Sequence, residues 1–294
     1  MKLLYASDLH GIERHYEAIG RFAPEAKPDA VILGGDLFPD EQTYDSLRAG
    51  REQPRFVRSF FRQWIGRIAA AGVQRVFVIF GNHDWMPSAE ATEELSRTLP
   101  VCVADRWTRH ASSAPPGELF RGVRIVGYSS TPPTPWYVKD FELQDAPDEP
   151  PMGREARGGL RWDAGHAAAL EAEVEELFSP RRTIESQLAT LPPIVEPWIF
   201  IAHAPPRDTG LDCMFGPRHI GSRAIRDAIE HRAPLLSLHG HIHESQVLSG
   251  RYAERIARTL SINVGQETRQ THTAWLIVDE AAGELKSFEQ RMLP

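Results

Sequence analysis

Five short apolar runs along the chain each end in a polar or ionisable side chain, and this repeated pattern limits the possible folds more than any other feature. In chain order the runs are LLYA before Asp8, AVILGG before Asp36, RVFVIFGN before His83, WIFIA before His203 and LLSLHG before His241. Their length and their content of Val, Ile and Phe are typical of strands in a sheet that is covered on both faces. We therefore predict five buried strands, each followed by a loop that carries a polar side chain.

Amphipathic stretches separate the first three runs. Apolar residues recur at helical spacing from Ile12 to Ala23 and more strongly from Phe56 to Ala71, where Trp64 and Ile68 share one face. Strands that alternate with helices predict βαβ units with right-handed crossovers. Because the carboxyl ends of such strands line one crevice, we expect the five polar loops to converge on one site.

The last part of the chain has a different pattern. Leu260 to Val264, Thr273 to Val278 and Leu285 to Glu289 are typical of short strands joined by turns. We interpret them as a second, more antiparallel sheet that packs on the first. The predicted fold class is therefore α/β, built on a sandwich of two sheets, and no convincing linker divides residues 1–294 into separate domains.

A proline-rich and acidic segment interrupts the pattern from Thr131 to Arg161. Irregular segments of this length are often functional, so we expect a long excursion that borders the site. Its aromatic residues Trp136, Tyr137 and Phe141 either cover a substrate or, as we favour, pin the segment to the body of the protein. A helix is predicted to follow, from about Ala164 to Phe178.

The side chains at the strand ends share one chemistry, because carboxylate, imidazole and carboxamide groups dominate and no thiolate is present. Such ligands suit divalent ions such as Mn, Fe or Zn. Their number exceeds what one tetrahedral ion needs and favours two ions that share a bridging carboxylate. The candidates are Asp8, His10, Asp36, Asn82, His83, Asp84, His203, His241 and His243.

The order of these elements, D-x-H, G-D, G-N-H-D, a single His and then G-H-x-H, resembles the signature of the calcineurin-like metallophosphoesterase superfamily. The resemblance covers residues 8–243, and the residue types match at every element. It implies a four-layer α/β/β/α sandwich of two mixed β-sheets flanked by helices, with two metal ions at the strand ends.

The resemblance also implies a role for each candidate. Asp36 would bridge the two ions together with a hydroxide that attacks phosphorus, and His83 would contact the phosphate and protonate the leaving oxygen as general acid. Asp84 would orient the ring of His83. The first ion would be held by Asp8, His10 and His243, and the second by Asn82, His203 and His241.

The overall charge limits the substrates. With 33 Lys and Arg against 40 Asp and Glu, the formal net charge is −7, so the chain has no bulk attraction for nucleic acid or for an anionic membrane. Two divalent ions with two carboxylates and a hydroxide would still leave a local charge of about +1, which attracts one small phosphate group.

The sequence HAPPRDTGLD, followed by HIGS and LHGHIHES, resembles the small bacterial and archaeal phosphodiesterase-like branch of this superfamily. That resemblance implies hydrolysis of a small phosphodiester. Manganese is the first expectation for the metal, with Fe, Zn, Ni or Co as alternatives. A phosphomonoesterase or nucleotide pyrophosphatase, a nuclease of the DNA repair type and a non-enzymatic metal-binding scaffold remain alternative functions. The oligomeric state is left open.

Cysteine content and apolar runs bear on the compartment. The two cysteines, Cys102 and Cys213, are too few for a disulfide framework. The first residues lack the apolar region of a signal peptide, and no run of 18 apolar residues occurs. We therefore expect a cytoplasmic protein that does not enter a membrane.

Overall fold

The structure of the protein, a computed structural model, describes residues 1–40, 46–105, 107, 117–149, 158–164, 167–174, 178–216 and 218–294. Its first sheet has six strands, which are β1 (Lys2–Ala6), β2 (Ala30–Gly34), β3 (Arg75–Ile79), β4 (Val101–Val103), β15 (Thr271–Asp279) and β16 (Glu284–Leu293). Their spatial order is β16-β15-β1-β2-β3-β4. Strands β1 to β4 run parallel, whereas β15 and β16 are antiparallel additions at one edge.

The second sheet also has six strands, which are β5 (Glu118–Phe120), β6 (Val123–Tyr128), β9 (Trp198–Ala202), β12 (Leu236–His239), β13 (Ala253–Ile256) and β14 (Thr259–Asn263). Their spatial order is β13-β14-β12-β9-β6-β5. The four central strands are parallel, and an antiparallel strand closes each edge. Two small hairpins lie outside the sheets, β7 (Gly159–Asp163) with β8 (Ala168–Ala172) and β10 (Cys213–Met214) with β11 (Arg218–His219).

Helices flank the sheets and agree with the amphipathic stretches of the sequence. The predicted helix from Phe56 to Ala71 is present, but it begins earlier, and a π-helical turn at Val57–Phe61 joins two α-helical parts. The helices are α1 (Glu13–Ala26), α2 (Ser46–Phe56), α3 (Arg62–Ala70), α4 (Met86–Leu95), α5 (Ile184–Ala189), α6 (Arg223–Arg232) and α7 (Ser245–Ser249).

Strand periodicity explains the layers. In β2, Ile32 belongs to the core between the two sheets, whereas its neighbour Val31 packs with α1 and α3 on the outer face. In β9, Ile199 joins the central core and Phe200 packs with α5 and α6. Since both faces of each sheet are covered, the fold is the predicted four-layer α/β/β/α sandwich of two mixed sheets.

The predicted partition of strands between the sheets was wrong. β15 and β16 extend the first sheet instead of forming the second, and β14 pairs in parallel with β12. The strands before His203 and His241 lie in the second sheet, so the polar loops come from two sheets and not from one rim. An apolar run predicts a buried strand but carries no information about its pairing partner.

The helix predicted from about Ala164 to Phe178 was also wrong over residues 168–172, although Val174 is helical and the Phe178 N–H donates to its carbonyl at 3.0 Å. Residues 168–172 form β8, which pairs with β7 from Asp163↔Ala168 to Gly159↔Ala172. Residues 165–166 and 175–177 of the predicted helix lie outside the described residues. The Ala- and Glu-rich sequence has helical propensity, but hairpin pairing and packing against α2 override it.

Among the described residues, no helix is both long enough and apolar enough to cross a bilayer.

Candidate functional site

The carboxyl ends of the central strands in both sheets meet at one place. There, loops that follow strands of one sheet form hydrogen bonds with loops that follow strands of the other. The Nδ1–H of His203, which follows β9, donates a hydrogen bond to the carbonyl oxygen of Gly34 at 2.8 Å. The backbone N–H of His241, which follows β12, donates to Asp8 Oδ1 at 2.9 Å. The two-sheet junction therefore brings together side chains that the sequence separates widely.

Three groups of potential ligand atoms lie at this junction, and within each group all atoms are within 4.8 Å of one another. His10 and Asp36 each belong to two groups and connect the three groups into one cluster. The groups are Asp8 with His10 and His243, His10 with Asp36 and His83, and Asp36 with His203 and His241.

The outer group, which consists of Asp8, His10 and His243, is compact. His10 Nε2 and His243 Nε2 are 3.1 Å apart, and His243 Nε2 lies 3.4 Å from Asp8 Oδ1. Burial opposes the charge on Asp8, but the hydrogen bond and the charge of His243 lower the pKa of Asp8 to about 2. Asp8 is therefore an anion in a buried position, as a cation ligand should be.

The inner group, which consists of Asp36, His203 and His241, lies deeper in the protein. His203 is fully buried, and its Nε2 is 3.2 Å from Asp36 Oδ2. Burial disfavours the imidazolium, but the negative charge of Asp36 outweighs it and raises the pKa of His203 to about 9. The carboxylate that attracts a proton to this ring would attract a metal cation to the same place.

Four of the seven predicted metal ligands have a left-handed backbone, with φ of 57° at Asp8, 46° at His10, 51° at Asp36 and 71° at His241. Residues other than glycine seldom adopt this conformation, and backbone strain of this kind clusters at functional sites. Hydrogen bonds between the loops hold it, since Asp8 N–H donates to the carbonyl of Gly35 and His10 N–H to that of Asp36, each at 2.9 Å. These turns direct the side chains from separate strand ends toward one centre.

The donor set fits a divalent metal on two observations. Asp8 Oδ2 and Asn82 Oδ1 are buried and have no hydrogen-bond partner within the described part of the chain, a costly arrangement that a cation would relieve. Gly81 of the GNHD loop leaves room for the cluster, because a Cβ there would overlap Asp36 Oδ1 and His203 Nε2. Oxygen and imidazole donors at this spacing suit Mn, Fe, Co, Ni or Zn.

His83 belongs to the group with His10 and Asp36, and a carboxylate contacts its ring. His83 Nδ1 is 2.7 Å from Asp40 Oδ2, and His10 Nδ1 is 3.0 Å from the same oxygen. Burial alone would raise the pKa of the Asp40 carboxyl, but hydrogen bonds from the two imidazoles lower it well below its usual range. Asp40 therefore fixes one nitrogen of His83 and leaves Nε2 for the substrate side.

The sequence analysis assigned this orienting contact to Asp84, and the structure corrects it to Asp40. The Asp84 carboxylate is fully buried and organises the loops instead, because it accepts three backbone N–H groups at 3.0 to 3.1 Å, those of Leu37, Phe38 and Gly81. Burial, and then the charge of Asp36, raise the pKa of Asp84 to about 7. Its contribution is to the shape of the site.

Asp40 and Gln53 are site-supporting residues that the sequence analysis missed. Gln53, from α2, donates from Nε2 to the carbonyl of His83 at 2.9 Å and accepts at Oε1 from the N–H of Trp85 at 2.7 Å. Asp40 could have been found, because it follows Asp36 by four residues in the same polar loop. Gln53 lies in a helix, where its spacing gives no such signal.

A cavity of about 230 Å³ opens beside Asn82, His83 and His241. Residues 132–136 of the proline-rich segment form one wall, as expected for an excursion that borders the site. Met214, Ile220 and Ile242 contribute further apolar surface, and Arg218 and Glu244 contribute charges of opposite sign.

Two aromatic residues of this segment make different contacts, and that of Phe141 agrees with the favoured pinning role. Trp136 stacks on the ring of His83, with centroids 4.1 Å apart and planes at 17°. Phe141, only 3% exposed, stacks on Phe80 at 5.4 Å and attaches the segment to the core.

Other polar residues near the site have local partners. Arg223 pairs with Asp148 at 2.7 Å, and His219 Nδ1 lies 2.7 Å from Asp212 Oδ1. His239, which precedes the GH pair, points into the sheet layer as expected and bonds to the carbonyl oxygens of β9 and its loop.

The comparison with protein families gives one match. Residues 1–245 match the family model described as calcineurin-like phosphoesterase. No curated protein sequence matches this chain.

Solved structures resemble the chain in fold at low identity. One crystal structure is 17% identical, with a TM-score of 0.63 over 100% of this chain and 99% of its own. The crystal structure of TT1561 of Thermus thermophilus is 16% identical, with a TM-score of 0.58 and the same coverage. A novel archaeal phosphodiesterase is 13% identical, with a TM-score of 0.43 over 100% of both chains.

Proposed function

The chain belongs to the calcineurin-like phosphoesterase family and is a metal-dependent phosphoesterase, and from this premise we propose that it hydrolyses small phosphodiesters. The observation that carries the proposal is the junction of the two sheets, next to a largely apolar cavity. There the ligand atoms of Asp36 group with those of His203 and His241 on one side and with that of His10 on the other. The metal centre would bind the phosphate, and the cavity would hold an uncharged ester substituent.

We assign the ligands as the sequence suggested. Asp8, His10 and His243 would hold one ion, Asn82, His203 and His241 the other, and Asp36 both. When bound, two divalent ions attract an anionic phosphate and lower the pKa of a coordinated water toward about 7. Manganese is our first choice for the metal, with Fe, Zn, Ni or Co as the other ions that these donors accept.

His83 is the proposed general acid. Its Nδ1 contacts Asp40, so Nε2 is the nitrogen that can deliver a proton to the leaving oxygen. Proton transfer by a positioned imidazole typically contributes about 10² to 10⁴ in rate. Asp84 supports the reaction indirectly, by holding the loops.

The cavity favours a diester over a monoester. A monoester carries an additional negative charge, which needs cationic groups, whereas much of this wall is proline, aromatic and aliphatic. An apolar cavity of about 150 Å³ is known to hold a benzene ring, so about 230 Å³ accommodates one small ester substituent.

Arg218 favours a second candidate. A guanidinium in the cavity wall suits a further phosphate oxygen, as in a phosphomonoester or a nucleoside diphosphate. Glu244 in the same wall offsets this charge, and for that reason we rank phosphomonoesterase or nucleotide pyrophosphatase activity second.

A paired assay tests the proposal. The full chain is treated with a chelator and then assayed with and without Mn²⁺ on bis-p-nitrophenyl phosphate and on p-nitrophenyl phosphate. We expect metal-dependent hydrolysis that is faster for the diester. Faster hydrolysis of the monoester would contradict the diesterase proposal, and no metal-dependent hydrolysis of either would contradict the assigned metal centre.

Long nucleic acids are not the proposed substrates. The formal net charge of −7 repels a polyanion, while a metal centre attracts a single phosphate group. We also propose a cytoplasmic location, since two cysteines are too few for a disulfide framework.

A further inference from the structure

We propose that Trp136 is a positioning residue for His83, which deepens the proposed function and rests on the general-acid role of that histidine. The indole ring lies parallel to the imidazole at 4.1 Å and 17°, while Asp40 contacts Nδ1 at the ring edge at 2.7 Å. The hydrogen bond fixes one atom of the ring, and the stacked indole fixes its plane. Together they fix the direction of Nε2.

A buried network holds Trp136 in place. Its backbone N–H donates to Thr134 Oγ1 at 3.1 Å, and the N–H of Thr134 donates to Glu142 Oε2 at 3.1 Å. Lys139 Nζ donates to the carbonyl of Thr134 at 2.7 Å and to Glu142 Oε2 at 2.8 Å, and both charged side chains are fully buried. These hydrogen bonds therefore fix the backbone that carries the indole.

Attachment of the segment does not depend on this indole. Phe141 is inserted against Phe80, and the Lys139–Glu142 pair is enclosed, whereas Trp136 is only partly buried and lines the cavity. Removing the indole should therefore leave the fold intact and free the His83 ring. A displacement of about 1 Å in a reacting group can reduce a rate about 100-fold.

The test uses two diesters that differ in how much the leaving group needs a proton. Methyl p-nitrophenyl phosphate releases a stable nitrophenolate, whereas methyl phenyl phosphate releases a more basic phenolate. With the Mn²⁺-loaded full chain, we expect Trp136→Ala to lower kcat/KM about 10-fold or more for the phenyl ester and less than about 3-fold for the nitrophenyl ester. Trp136→Phe, which restores a flat ring, should keep both values within about 3-fold of wild type.

Two controls separate positioning from general structure. Trp162→Ala removes another indole from the same small aromatic cluster and should leave the ratio of the two substrates unchanged. In a His83→Ala background, Trp136→Ala should cause no further selective loss, because it acts through the missing ring. Metal content and thermal unfolding of each variant are measured alongside.

Two outcomes would overturn the inference while leaving the diesterase proposal intact. One is an equal loss on both substrates in Trp136→Ala, and the other is an undiminished selective loss in the His83→Ala background. If His83→Ala itself loses equally on both substrates, the general-acid role fails and the inference fails with it. If neither diester is hydrolysed by the wild-type chain, it is the proposed function that fails.

Discussion

Asp36 is the residue on which both proposed ions depend. It is 1% exposed, belongs to two of the three ligand groups and, at Oδ1, accepts the N–H of His83 at 2.8 Å. Its left-handed backbone, with φ of 51°, is held by the turn after β2. A single carboxylate thus joins the ligands of the first sheet to those of the second.

This position predicts a difference in metal stoichiometry. Asp36→Ala should reduce bound Mn²⁺ from about two ions per chain to below about one, because both proposed ions lose the carboxylate that bridges them. His203→Ala should remove about one ion, because only the inner group loses a donor. Elemental analysis after dialysis measures both, and equal metal content in the two variants would contradict the shared role of Asp36.

At this scale the sequence predicts the members of the cluster well and their contacts less well. Every predicted ligand lies at the junction because polar residues at strand ends must emerge there. The contact between Asp40 and His83 could not be predicted, since it depends on how the loop after β2 folds over the loop after β3. The nearer candidate in the sequence, Asp84, turns to the backbone instead.

Among the elements, the proline-rich segment has the least predictable structure. Residues 150–157 of this segment lie outside the described residues. In the described part, Lys139 and Glu142 form a buried pair, each 0% exposed. Burial raises the pKa of Glu142 to about 7 despite the opposing charge of Lys139, and burial lowers the pKa of Lys139. Both ions therefore lose hydration and depend on each other and on Thr134.

Replacing one member of this pair should lower the free energy of unfolding more than replacing both. At pH 8, Glu142→Leu leaves the buried ammonium without its partner and should lower the free energy of unfolding by about 3 to 5 kcal/mol. The double variant Glu142→Leu, Lys139→Met should lose less, because no uncompensated charge stays buried. Urea denaturation measures both, and equal losses would show that the pair does not act as a unit.

Helices and strands were predictable where the spacing of apolar residues was regular and the element did not depend on contacts distant in the sequence. The βαβ order of the first 80 residues follows from strand and helix periodicity. β8 was not predictable, because an Ala- and Glu-rich stretch pairs with β7 only through contacts distant from its own sequence. β15 and β16 show the same limit, since nothing in their pattern distinguishes the two sheets.

For the whole molecule, the proposed metal site lies across the contact between two sheets. Asp8, His10 and Asp36 follow strands of the first sheet, and His203 and His241 follow strands of the second. Bound ions would therefore join the two halves of the sandwich and stabilise the folded state of both.

Metal should consequently raise global stability. At a free Mn²⁺ concentration of about 100 times the Kd, we expect the free energy of unfolding to rise by about 2.7 kcal/mol per site. Thermal unfolding with Mn²⁺ and with a chelator measures the shift, and Asp36→Ala should abolish most of it. An unchanged midpoint in the wild-type chain would contradict ligation across the sheets.

The outer ligand group has a consequence for synthesis of the protein. His10 and His243 are 233 positions apart in the chain, yet their Nε2 atoms lie 3.1 Å from each other. A ribosome must therefore synthesise the chain beyond residue 243 before this group is complete, and contacts of such sequence separation form late. A nascent chain that has not yet exposed residue 243 carries Asp8 and His10 without their third partner, so the outer ion should bind only after that residue has emerged.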